Sequence, residues 1–162
     1  MKRLICMILL LLLLSGCGLM ENGIKDPVTF YYINKDYQKN MDSVIDSEIR
    51  EASGHRDDLP YLLALYSMGP SSEELISPFP VSTRIIPTEH TDAGIVLSLS
   101  EIPDSMTDAE YTLASTCLAL TCMELIDASQ ITVISEGRSV SINTENIILS
   151  ETIHKNQPEV EK

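Results

Sequence analysis

Basic residues are scarce in this chain: 11 Lys and Arg stand against 24 Asp and Glu in 162 residues, a formal net charge of −13. Such a surface is repelled by nucleic acid and by anionic lipid headgroups, so no nucleic-acid partner is expected. Cysteine is sparse too, at four residues. Cys6 and Cys17 belong to the N-terminal apolar segment, which leaves Cys117 and Cys122 for the folded part. Five residues apart on a helix they stand about 140° around its axis, and no disulfide can join them there. They read as small buried apolar residues. The sequence also has no HExxH, no paired CxxC, no Gly-rich phosphate loop and no GxSxG. His55, His90 and His154 are far apart, and Glu89, His90 and Asp92 form the one compact group of potential ligands. On a hairpin those three alternate faces, whereas a metal site needs three or four convergent ligands. Asp42 and Asp46 can pair at i, i+4 on a helix, but without an apolar pocket two carboxylates are ordinary surface. No catalytic residue, metal ligand or cofactor site is assigned, and the chain is not expected to be an enzyme.

What the chain does carry begins at its N-terminus. Lys2 and Arg3 precede an apolar run from Leu4 to Leu14, followed by Ser15, Gly16 and Cys17. The run falls short of the ~20 residues that span a bilayer, and small residues before a cleavage point are the mark of a secretory leader. With cysteine at the cut, residues 14–17 read as a lipobox, and the segment resembles the signal of a prokaryotic lipoprotein in which the Cys17 thiol is acylated. Two acyl chains anchor stably where one is marginal. The expected partner of this end is the membrane, through acylated Cys17, with the domain on the extracytoplasmic face of the cell membrane. Loss of residues 1–16 removes two cations and leaves 146 residues with 9 basic and 24 acidic side chains, a formal charge of −15. That length suits one domain with a proper core.

The expected organisation is a signal peptide at 1–16, a tether at 17–27, a domain at 28–150 and a polar tail at 151–162. Val28 to Ile33 reads as a strand with Val28, Phe30 and Tyr32 on one face. Ser43 to Ala52 fits either a helix or a strand. Asp57 or Asp58 caps a helix with Pro60 in its first turn, stopped at Gly69-Pro70. Strands over Thr83–Ile86 and Ile95–Leu99 meet in a hairpin around Asp92-Ala93-Gly94. Thr107 and Glu110 form a capping box for the longest helix, Ala109 to Ile126. Its Leu113, Ala114, Cys117, Leu118, Leu120 and Leu125 spread apolar surface over much of the circumference, so it belongs against a sheet. Ile131–Ser135 and Ser139–Ile142 flank Glu136-Gly137-Arg138 as a second hairpin.

In order and spacing these strings resemble the GerMN domain, a module of lipoproteins in sporulation and spore germination. The resemblance covers about residues 28–145. It lies in Leu62, Leu63 and Leu65 before Gly69-Pro70; in Leu75, Ser77, Pro80, Ser82 and Thr83; in Asp92, Leu97, Leu99 and Ser100; in Leu120-Thr121; and in Ile131, Val133, Glu136 and Gly137. Ser82 and Ala93 stand where glycine is common in the family, and Ser98 where aspartate is. The resemblance implies that Arg50 belongs to an early strand, which favours strand for 43–52. It also implies an α+β fold, two helices packed on one face of a mostly antiparallel sheet, similar to ring-building modules of sporulation channels. The function it implies is non-enzymatic: a lipid-anchored interaction or assembly module that meets a protein partner or itself through a sheet edge, the late hairpin Ile131–Ile142 supplying one such strand. The alternative is an envelope binding protein for a small ligand or a cell-wall fragment, which an apolar pocket with convergent polar groups would favour.

Overall fold

The computed structural model describes residues 24–37, 39, 43–91 and 94–144. The signal peptide, Cys17, Asp92-Ala93 of the first hairpin and the tail therefore lie outside the described residues. The fold is α+β, the described residues forming two helices and two mostly antiparallel sheets. β1 (Pro27–Asn34) pairs antiparallel with β2 (Ile45–Glu51), which settles residues 45–51 as strand. After α1 (Leu59–Ser67), the two-residue β3 (Leu75–Ile76) pairs with the end of β1 to complete a sheet ordered β2-β1-β3. β4 (Ile85–Thr91), β5 (Gly94–Leu99), β6 (Gln130–Ser135) and β7 (Arg138–Asn143) make a second sheet in that order. α2 (Asp108–Leu125) is the crossover between β5 and β6, the one parallel pair.

Local chemistry explains the boundaries. The Asp58 carboxylate accepts the Tyr61 N–H at 3.1 Å, and Pro60 sits in the first turn of α1, where a missing N–H costs nothing. The capping box of α2 is present in full: Thr107 Oγ1 accepts the Glu110 N–H at 3.2 Å, and Glu110 Oε2 accepts the Thr107 N–H at 2.8 Å. The Thr107 backbone and hydroxyl together hold the Glu110 carboxyl below its ordinary range. Between β6 and β7, Glu136 (φ 47°) and Gly137 (φ 82°) form the two-residue turn that matches strand twist. Gly94 is required for another reason: a Cβ there would stand 1.8 Å from the Gln130 carbonyl oxygen, so only glycine lets β5 and β6 approach in parallel.

The division into two sheets is bridged by α2, which packs along β1 and also reaches β6 and β7. Val28, Phe30 and Tyr32 are buried as their alternation predicts, and they join Leu62, Leu63 and Tyr66 of α1, Leu118 of α2 and Leu97, Ile131 and Val133 of the second sheet in one cluster. Phe30 meets Tyr66 edge-on at 5.7 Å, and Tyr32 stacks on Tyr66 at 4.9 Å.

Hydrogen bonds from the Asn34 N–H to Val44 O and from the Ala52 N–H to Asp26 O fix the parity of β1, so Tyr31 turns its N–H and C=O away from β2. β3 is too short to meet them. The Tyr31 N–H donates instead to Thr121 Oγ1 of α2 at 2.9 Å, and Tyr31 O accepts the Tyr66 hydroxyl of α1 at 3.0 Å. The Tyr32 hydroxyl in turn donates to Tyr66 O at 3.3 Å.

The apolar positions of α2 divide differently from a reading by composition. Tyr111, Ala114, Cys117, Leu118, Ala119 and Cys122 are buried, while Leu113 and Leu120 are only half-buried. Leu118→Ala should therefore cost ~2–5 kcal/mol and Leu120→Ala under about 1 kcal/mol, as read from urea midpoints. Equal losses at the two positions would contradict this orientation of the helix.

Candidate functional site

Three places in the fold concentrate unusual chemistry. The first is where β2 meets the end of α1. Glu48 and Arg50, two apart on a strand, project to the same face. The Arg50 guanidinium donates to Gly69 O at 3.0 Å and to Leu65 O at 3.5 Å, so a cation caps the negative end of the helix. It lies 5.8 Å from the centre of the Phe30 ring. Glu48 accepts the N–H groups of Ser71 and Ser72 at 2.9 and 3.1 Å and stands 3.7 Å from Arg50. Every charge here is spent on the protein's own backbone, so this pair holds α1 to β2 and offers nothing to a ligand.

The second place is an open apolar groove of about 340 Å³ between α1 and the start of β4. Ala64 and Met68 line one side, Val81, Arg84 and Ile86 the other, and Ile85 the base. Met68, Val81 and Ile86 are 70%, 70% and 48% exposed, three of the large apolar side chains that the described surface shows to water. Sequence reading missed this groove, because α1 and β4 adjoin through the tertiary fold alone.

The third is the edge strands. In the four-stranded sheet these are β4 and β7. The Ser100 N–H donates to Arg84 O, which fixes the parity of β4 and turns the backbone of Ile85 outward. Pro87 then supplies no donor, and the register shifts between Pro87 and Glu89, two devices that blunt an edge. β7 is different: it carries no proline and no bulge against β6. The Thr144 N–H donates to Ser129 O, so the N–H groups of Val140 and Ile142 face β6 while those of Ser139 and Ser141 face outward. Inside this strand, Arg138 donates to Met106 O at 2.7 Å and lies 5.8 Å from the Tyr111 ring centre, which fastens the hairpin to the start of α2.

The residues weighed as ligands or acids are dispersed. Among the described residues no three His, Cys, Asp or Glu side chains gather as a metal site would require. Asp92, Asp42 and His154 lie outside the described residues, as does Cys17. Asp46 is on a strand, where its carboxylate accepts the Ser47 N–H at 2.7 Å. His55 stacks on Tyr61 at 4.2 Å, with Asp58 at 3.8 Å. Cys117 and Cys122 are free thiols buried in α2, and burial pushes each up to about 12. A thiol held protonated in an apolar site is no nucleophile.

No protein-family model matches the chain, and no curated protein matches it. Among solved structures it is similar to a "Putative Lipoprotein" from Clostridium perfringens, known at 2.5 Å, with 15% identity and a TM-score of 0.45. The likeness covers 63% of this chain and 76% of that one; at this level it carries no inference about function. No described helix is long and apolar enough to cross a membrane.

Buried acids, among them Tyr32, Tyr66, Cys117 and Cys122, should limit the fold at alkaline pH. Burial raises Tyr32 to about 12 and Tyr66 well above its ordinary range, alongside the two thiols. Folded, these groups keep their protons at pH values where the unfolded chain loses them, starting near 9 for thiols and 10 for phenols. Stability should be full below about pH 8.5 and fall steadily as the pH rises toward 12. Urea titrations across that range check this, and a flat profile would contradict the burial of these groups.

Proposed function

We propose that this protein is a lipid-anchored extracytoplasmic interaction module, related in design to GerMN domains of sporulation and germination lipoproteins, which works by docking and turns over no substrate. The observation that carries the docking reading is β7. It is a regular edge with outward N–H groups at Ser139 and Ser141, whereas the opposite edge of the sheet, β4, is blunted by Pro87 and a bulge. An uncovered strand offers its backbone to another chain, whether a partner's or a second copy's. β7 also contains no acidic residue in a strongly acidic chain, so a pairing strand meets little like-charge repulsion there. The leader and residues 14–17 support the anchoring, and the order of strings along 28–145 supports the family likeness and its tie to sporulation.

Anchoring is checked by metabolic labelling in the host: Cys17→Ser should accumulate as precursor and take up no labelled fatty acid. Continued labelling of that variant would remove the lipoprotein reading.

Docking is checked by comparing two proline variants of β7. Ser141→Pro deletes an outward N–H and should keep the thermal midpoint within a few degrees while losing what co-purifies with the wild type from membranes. Val140→Pro deletes a ladder hydrogen bond to β6 and should destabilise by about 1–3 kcal/mol, the cost of leaving the facing carbonyl unpaired. If a folded Ser141→Pro variant keeps its partner, β7 is not the docking edge; hydrolysis of wall fragments by the purified wild type would sink the non-enzymatic reading.

A further inference from the structure

We propose that the groove between α1 and β4 binds the C-terminal end of an extended peptide, with its last apolar side chain in the groove and its carboxylate on Arg84. Three independent features meet there. The first is apolar surface of the right size: a cavity of about 340 Å³ with Ala64, Met68, Val81 and Ile86 open to water. Pockets of roughly 300 Å³ or more hold small ligands or single anchor side chains.

The second is charge. Among the described residues that line the groove, Arg84 is the one that carries a charge. Of the four described arginines, Arg50 is bound by backbone carbonyls and Glu48, Arg56 donates to Pro27 O, and Arg138 donates to Met106 O. The Arg84 guanidinium alone makes no hydrogen bond or ion pair among the described residues. An unpaired guanidinium beside an apolar groove, in a chain of net charge −13, complements a ligand that carries a carboxylate next to an apolar body.

The third feature selects a peptide over a fatty acid and a chain end over a mid-strand. Ile85, at the base of the groove, turns its N–H and C=O away from β5. Those groups can pair with one residue of an extended backbone, which a hydrocarbon chain cannot exploit. The ladder cannot continue, because Pro87 has no N–H and the bulge follows. A site one residue long, closed on one side by proline and set beside a free guanidinium, fits a terminus. This site is separate from the β7 edge and stands or falls without it.

The test uses the full chain held in lipid nanodiscs and fluorescent hexapeptide pools, read by anisotropy. Pools ending in Val, Ile, Leu or Phe with a free carboxylate should bind, and the same pools as C-terminal amides should bind about tenfold more weakly, the worth of a charge-assisted hydrogen bond. Arg84→Gln should remove that difference between acid and amide while leaving the thermal midpoint in place, since its guanidinium makes no hydrogen bond or ion pair among the described residues. Ala64→Glu, on the exposed face of α1, should abolish binding by filling the groove and repelling the carboxylate. Equal binding of acids and amides, an unchanged preference in Arg84→Gln, binding by alanine-ended acids as tight as by the apolar ones, or no binding by any pool would overturn the proposal.

Discussion

The fold depends on how the free edge of β1 is closed. A central strand that pairs on one side only leaves donors and acceptors buried on the other, and a buried unpaired amide costs about 1–3 kcal/mol. Here no described strand completes the job at Tyr31. Its N–H goes to Thr121 of α2 and its carbonyl to the hydroxyl of Tyr66 on α1. Two side chains from two helices thus stand in for a neighbouring strand, and in doing so they fix both helices against the first sheet. The same tyrosine stacks on Tyr32, which reaches back to its carbonyl. Aromatic packing and hydrogen bonding therefore hold one geometry.

Closing that edge with helices has consequences elsewhere. α2 is drawn toward β1, and its other contacts fall on β6 and β7, so a single helix ties two sheets into one core. The Arg50–Glu48 pair consumes its charges on the end of α1 and the turn beyond it. Two surfaces that the described residues leave open are the backbone of β7, a polar edge, and the groove beside β4, apolar with Arg84 on its lining. Both are surfaces for which docking is proposed above.

The sequence by itself determined most of the elements, because their signals are local. Period-two alternation placed Val28, Phe30 and Tyr32 inside; Asp57 or Asp58, Pro60 and the Thr107–Glu110 box marked helix starts; Glu136-Gly137-Arg138 marked a turn, which the structure narrows to Glu136 and Gly137. Segment 43–52 was less legible, since Ile45 and Ile49 satisfy both periods, and its pairing with β1 decided it. Only the tertiary structure decided that the strands form two sheets, that Leu118 faces the core more than Leu120, that Val140 turns its N–H inward, and that Arg84 stands unpaired on a groove. The physical reason is range: caps, turns and alternation are written within a few residues, whereas the neighbour of an edge or the partner of a guanidinium comes from far along the chain. A helix as apolar around its axis as α2 has no preferred face until two sheets choose one.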